Sequence, residues 1–270
     1  MTLNNKDLRK MLDTAVTAGR LAGQRAMQEI HNITVSVKSP DQLVTQADTI
    51  CQKIIIDHIN QAFTGHGFIA EEGESGNSLK VPPTGEGNIF WVIDPIDGTN
   101  NFAKGMLLFT VSIAAFCDGK PVVGVIFDPA TDSMFTAVSG CNSELNGQPI
   151  HVNDDDINNF SNIGTDSHFD GPVPGWVTNL MSRTRFRNLG STCLQMAYTA
   201  SGGLIADICP CPKLWDMAAG AIICKNAGAI VTDWDGNDLF PMGLNNYQGG
   251  PVPTLVANKR VHPEILQILK

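Results

Sequence analysis

Apolar residues return at Leu8, Met11, Leu12, Ala15, Val16 and Leu21, the spacing of one helical face, and predict a helix over residues 6–30. A second stripe, Ile50, Ile54, Ile55 and Ile59, predicts another over 46–63. Residues 73–88 (GESGNSLKVPPTGEGN) break the pattern with Gly, Pro and Ser and read as a loop or loose hairpin. Short apolar runs bounded by turn residues then predict strands at 89–93, 109–116 and 121–127, with Asp118-Gly119 as a turn. Residues 134–138 and 148–152 continue this around Asn146-Gly147. The first half therefore reads as helices packed on a mostly antiparallel sheet.

The second half alternates. A strand at 161–165 leads to a loop with Gly171, Pro172 and Pro174; helix 175–183, strand 186–189, helix 191–201, strand 204–208, helix 215–227 and strand 229–232 follow. Such alternation argues an α/β layer. A boundary is placed near residue 145, dividing the chain into 1–145 and 146–270. Asp154-Asp155-Asp156 reads as a solvated helix start.

Composition narrows the classes. The 270 residues carry a net charge of -9, which disfavours a nucleic-acid duplex as partner, since phosphate backbones are held by basic surface. No run of about 18 apolar residues is present, so no membrane span is expected, and no secretory signal is visible. Seven Cys without framework spacing suit a reducing cytoplasm. Cys209-Pro210-Cys211 has the wrong spacing for a redox or metal pair and reads as structural thiols. The six His are scattered and read as surface or core residues.

Candidate chemistry concentrates in Trp91–Phe102. Apolar residues lead into Asp94, Asp97 follows across Pro95, and Gly98-Thr99 begins a run that can start a helix. Both acids are expected just past the strand's carboxyl end, where α/β ligands gather. Paired carboxylates suit a hard divalent cation, and backbone N–H groups at a helix start suit an anion such as phosphate. Glu71-Glu72 follows Phe68-Ile69-Ala70 at another strand end; alone it reads as an exposed acidic turn. Trp215-Asp216 opens a helix of small residues, Ala218, Ala219, Gly220 and Ala221, where the acid could be a cap or a ligand. Lys213 reads as an exposed loop lysine, the alternative being contact with a substrate anion.

Together these positions resemble the inositol monophosphatase family of lithium-sensitive, magnesium-dependent phosphatases. Asp94-Pro95-Ile96-Asp97-Gly98-Thr99 matches the signature D-P-x-D-G-T, and Trp215-Asp216-Met217-Ala218-Ala219-Gly220 matches W-D-x-A-A/G-G. Glu71-Glu72 matches the family's acidic pair, and Lys38-Ser39-Pro40 through Val44–Asp48 its upstream Lys…Asp segment. The order and spacing hold from about residue 30 to 235. The resemblance implies a layered αβαβα sandwich, a sugar-phosphatase fold of α+β and α/β character. It implies two or three Mg²⁺ ions: Glu71, Asp94 and the Ile96 carbonyl on the first; Asp94, Asp97 and Asp216 on the second; a third near Glu71. Asp48 would hydrogen-bond Thr99, whose hydroxyl orients the attacking water, while Gly98 and Thr99 N–H groups grip the phosphate. Direct attack by water is favoured over a covalent phosphoenzyme, because no Ser/Cys–His arrangement is needed.

Substrate contacts are expected at Thr165, at Gly190-Ser191-Thr192, at Asp216 and at Cys209. Cys209 stands where inositol-selective members place an acid, and a thiol is a weak partner for a polyol. The substrate would be a small phosphate ester: an inositol phosphate or, on relatives' chemistry, histidinol phosphate, fructose 1,6-bisphosphate or 3′-phosphoadenosine 5′-phosphate. A homodimer is implied. A non-catalytic regulatory protein that retains the fold is the alternative of a different class.

Overall fold

The structure, a computed structural model, describes residues 3–39, 42–74, 77–85, 87–167, 169 and 171–270. Pro40 of the upstream segment and three positions of the 73–88 stretch lie outside them.

Helix α1 (Asn5–Glu29) is started by a capping box: the Asn4 side chain accepts from the Lys6 and Asp7 N–H groups, and Asp7 returns its carboxylate to the Asn4 N–H. Its buried face includes Met11 and the small Ala15, Ala18, Ala22 and Ala26, and the alanines allow close approach to α2 (Gln46–Ala62) and the sheet beneath. Leu21, assigned to that face by spacing, instead remains 43% exposed.

The sheet beneath contains β3 (Gly67–Ala70), β4 (Leu79–Val81), β5 (Ile89–Asp97), β6 (Thr110–Cys117), β7 (Lys120–Asp128), β8 (Ser133–Val138), β9 (Glu144–Leu145) and β10 (Gln148–Pro149). Their order is β10-β9-β8-β7-β6-β5-β3-β4, and only β3 and β5 run parallel. Strand β5 is buried along its whole length because both sheet faces are covered. Ile89, Trp91 and Ile93 pack with α1 and α2, and Phe90 and Val92 with α5 (Thr192–Ala200) and α6 (Leu214–Asn226).

Beyond α5 and α6 lies a second sheet: β11 (Asn162–Thr165), β12 (Arg185–Arg187), β13 (Ala206–Cys209), β14 (Ile230–Thr232) and β15 (Thr254–Ala257). The order is β12-β11-β13-β15-β14, parallel for the first three and antiparallel at β15. Helices α4 (Gly175–Met181) and α7 (His262–Leu269) close its outer face with Trp176, Leu180 and Ile265. The layers run helix, sheet, helix, sheet, helix, as expected. A ribbon of β1 (Val35–Ser39) and β2 (Gln42–Thr45) precedes α2.

Of the two readings of the 73–88 stretch, loop and loose hairpin, the hairpin holds in part: Leu79–Val81 pairs antiparallel with β3. Three local expectations change. The 148–152 strand shrinks to Gln148–Pro149, at the sheet's edge. Asp154–Asp156 starts no helix; Asp156 instead takes a two-pronged ion pair from Arg260, Nε at 2.8 Å and Nη2 at 2.7 Å. Strand β5 also continues through both acids instead of ending before them.

Gly124 sets the distance between the first sheet and α6. A Cβ there would lie 2.5 Å from Ile222 Cγ2 and 2.8 Å from the Ala219 carbonyl oxygen, and the backbone contact cannot yield. Gly124→Ala is expected to lower unfolding stability by about 1–3 kcal/mol, the usual range for overpacking, read by urea denaturation.

Candidate active site

Asp94 and Asp97 are three residues apart, which in a regular strand would send them to opposite faces. The β5–β6 register prevents this: Asp94 pairs with Ser112 and Asp97 with Thr110, leaving one extra residue on β5. Such a bulge changes the parity and lets both carboxylates address the same side. Pro95 fits here because it has no ladder N–H to lose. Asp94 Oδ1 accepts from the Ile96 N–H at 3.1 Å, and both acids are buried.

Gly98 follows with φ +96°, and a Cβ there would meet the Leu108 and Gly190 carbonyl oxygens at 2.9 and 3.0 Å. The chain then enters the short helix α3 (Thr99–Ala103). Thr99 Oγ1 lies 3.2 Å from Asp48 Oδ1 and 2.9 Å from the Ile96 carbonyl oxygen. Asp48 is fixed on α2 by the Thr45 N–H at 2.8 Å and the Thr45 hydroxyl at 2.6 Å. Burial pushes Asp48 up to about 6, against the lowering effect of those bonds.

Glu71 leaves the end of β3, its N–H donating to the Ile93 carbonyl at 3.2 Å, so parallel pairing places it beside Asp94. Glu72 is held by Gln52 in both directions and by Lys38 Nζ at 2.9 Å. Asp97 Oδ2 accepts from the Ser191 hydroxyl and, at 2.7 Å, from the Cys193 N–H. That ties β5 to the N-terminus of α5, where Ser191 caps the helix by accepting from the Leu194 N–H. Asp216 occupies the first turn of α6, its Oδ2 accepting from the Lys213 N–H at 2.6 Å. The α6 start is anchored from two sides: the Cys193 thiol donates to the Asp216 carbonyl at 3.0 Å, and the Ser112 hydroxyl to the Trp215 carbonyl at 3.3 Å.

The four carboxylates share one electrostatic field. Burial is the largest cause of each shift. Glu71 is also raised by Asp216 and Glu72, and Asp94 by Glu71, Asp97 and Asp216. Asp97 is raised by burial despite its Ser191 and Cys193 donors, and Asp216 is pushed up to about 7 by burial and Asp97. Among the described residues, no three His, Cys, Asp or Glu side chains are already drawn into a cation cage. Oxygens of Asp97 and Asp216 are instead turned toward N–H and O–H donors. The donor set is all oxygen, mostly buried and mutually repulsive. That chemistry fits a hard divalent cation, which would relieve the repulsion.

The remaining expected residues divide into two groups. Gly190, Ser191 and Thr192 join Asp97 around a cleft of about 430 Å³, together with Asn101 and Gln195. Thr165 and Cys209 are buried and are not among its lining residues. The Thr165 hydroxyl donates to the Ile208 carbonyl at 2.9 Å, and the Cys209 thiol to Asp207 Oδ2 at 3.1 Å. Asp207 also accepts from Gln195 Nε2 at 3.0 Å, and burial pushes it up to about 7. Gln195 in turn accepts from the Leu189 N–H at 2.9 Å, tying Asp207 to the cleft wall. Sequence patterns missed Gln52, Thr110, Cys193 and Gln195, because the spacing of a residue along the chain does not mark its tertiary partner.

A five-layered α/β sandwich with a buried acidic cluster between its first sheet and the start of α6 defines the class of protein. The chain belongs to the inositol monophosphatase family, whose model matches residues 7–269. It is 33% identical over 246 residues to inositol monophosphatase 1 of Solanum lycopersicum, covering 87% of this chain and 88% of that protein. It is also 33% identical over 252 residues to the Nus factor SuhB of Vibrio cholerae, covering 89% and 91%. Among solved structures, the Thermotoga maritima IMPase superposes with a TM-score of 0.82 at 29% identity, covering 96% of each chain.

Proposed function

We propose that this protein is a divalent-metal-dependent phosphatase of small phosphate monoesters, with Mg²⁺ the fitting ion. The observation that carries the reading is the gathering of four acids in one buried site: Glu71, just after β3, stands beside Asp94 on β5, and Asp97 on β5 and Asp216 on α6 complete it, so that Asp94 feels the charge of the other three. Glu71, Asp94 and the Ile96 carbonyl would hold one ion, and Asp94, Asp97 and Asp216 a second. Bound ions supply a more acidic water and charge to offset the leaving oxygen. The chain's own part is orientation. Thr99, held between Asp48 and the Ile96 carbonyl, would orient the attacking water, its Oγ1 taking the water's proton as its own passes to the Asp48 carboxylate. The backbone at Gly98 and Thr99, fixed by the left-handed turn, would face the phosphate oxygens. Asn101 Nδ2 holds the cleft's shape by donating to the Leu108 and Leu189 carbonyls, each at 2.7 Å.

The test is a phosphomonoester panel assayed with Mg²⁺ and with chelator; turnover that survives the chelator would count against the reading. Thr99→Ala is expected to lower kcat by about 10²-fold or more, the scale of a positioned proton-transfer group. Metal affinity, measured by calorimetry, should stay nearly constant. A second reading, in which the chain acts through a binding surface, is favoured by the name of the Vibrio relative. Under it, Asp94→Asn would leave the biological role intact.

A further inference from the structure

Gln195 lines the cleft shared by Asp97, Ser191 and Thr192, yet is only 3% exposed. It lies one turn along α5 from Ser191, whose carbonyl accepts the Gln195 N–H at 3.1 Å. Its side chain therefore leaves the helix on the side of the residue that donates to Asp97. The amide has a fixed orientation. The Leu189 N–H can only donate and meets Oε1, while the Asp207 carboxylate accepts from Nε2. Turning the amide over would set donor against donor and acceptor against acceptor. One Nε2 hydrogen is used in this way, and among the described residues the other meets no acceptor. The Asn101 amide of the same cleft has both hydrogens committed, to the Leu108 and Leu189 carbonyls. A spare donor on a buried amide is costly unless a ligand or water meets it.

Asp207 is placed to hold that amide. It is fully buried on β13, and among the described residues it has no ion-pair partner. Its second oxygen accepts from the Cys209 thiol. Its register partner on β11 is Gly164, where a Cβ would lie 2.7 Å from Asp207 Oδ1, so the room for the carboxylate depends on a glycine. Asp97 and Asp166 also line the cleft, which disfavours a further anion there and leaves an uncharged oxygen as the fitting partner for the spare hydrogen.

We propose that Gln195 is a specificity-determining residue, donating its spare Nε2 hydrogen to an uncharged oxygen on the carbon part of the ester, and that Asp207 is the positioning residue that holds the amide for it. This rests on the phosphatase reading and deepens it. The test compares glycerol 2-phosphate with isopropyl phosphate, which lacks its two hydroxyls. The ratio of their kcat/KM values is expected to fall about five- to tenfold in Gln195→Leu, the scale of one hydrogen bond, and likewise in Asp207→Leu. Asp207→Asn should keep the wild-type ratio, because its Oδ1 can still accept from Gln195. Hydrogen exchange at the Leu189 amide reads the placement of Gln195 without turnover. It should quicken about tenfold or more in Asp207→Leu and stay at the wild-type rate in Asp207→Asn. Should Gln195→Leu fail to fold, Gln195→Asn, one methylene shorter, carries the same expectation. Equal losses for both esters in the Gln195 variant, a ratio lost in Asp207→Asn as fully as in Asp207→Leu, or a Leu189 amide indifferent to Asp207→Leu would overturn the proposal while both esters are still cleaved. Turnover of neither ester with Mg²⁺ by the wild-type chain would overturn the phosphatase reading itself.

Discussion

Asp94→Asn is expected to lower kcat by about 10³-fold or more, since a bound ion's contribution is several kcal/mol and each 1.4 kcal/mol is tenfold. The same change is expected to raise the melting temperature of the metal-free protein. Asp94 is buried, lies beside Glu71, and feels Glu71, Asp97 and Asp216 as like charges. Asn keeps the shape and the acceptor for the Ile96 N–H but removes the charge. Loss of function with gain of stability is the pattern of a residue retained for chemistry at a cost to the fold. Kinetics with Mg²⁺ and calorimetry without it check both halves. A variant that is inactive because it is unfolded would count against this reading.

Much of this was legible in the chain because it depends on local rules. The α1 and α2 stripes, the apolar run into Asp94 and the turn at Asp118-Gly119 have fixed periods or φ preferences, and the structure places elements there. The signature around Asp94 was readable as acids beside a glycine turn, but its working feature was not. The bulge that brings Asp94 and Asp97 to one side exists only in the pairing with Ser112 and Thr110. Strand β15 and helix α7 were missed because Thr254–Ala257 is a four-residue run whose identity comes from insertion between β13 and β14. The β1–β2 ribbon, with Val37 73% exposed, offers no buried face to reveal it. Asp154–Asp156 resembled a helix start because the distant Arg260 partner could not be seen.

Chelation is the second large effect: turnover should fall to background, and stability should acquire a characteristic pH dependence. Asp207 and Asp216, each pushed up to about 7 from 3.8, bind protons in the folded state that the unfolded chain has released at neutral pH. Their favourable contribution is fully present below 3.8 and is lost as pH rises through about 7. Asp48, raised to about 6, adds to this at the lower end. His66 and His262, held below 6.5 by burial, act oppositely, since the unfolded chain protonates first as pH falls. The clean window therefore lies between about pH 8 and 6.5. Metal-free protein should become more stable as pH is lowered across it. Saturating Mg²⁺ should flatten the slope, and Asp216→Asn should reduce it without metal. A melting temperature that falls steadily from pH 8 to 6.5 in chelator would contradict the assignment.

The most direct measurement is anomalous diffraction from crystals grown with Mn²⁺ in place of Mg²⁺. The expected map has manganese peaks within coordination distance of Glu71, Asp94, Asp97 and Asp216, with Asp97 or Asp216 turned from its N–H donors toward an ion. Carboxylates that keep their present hydrogen bonds, with no peak among them at saturating Mn²⁺, would contradict the claim that this cluster exists to hold cations.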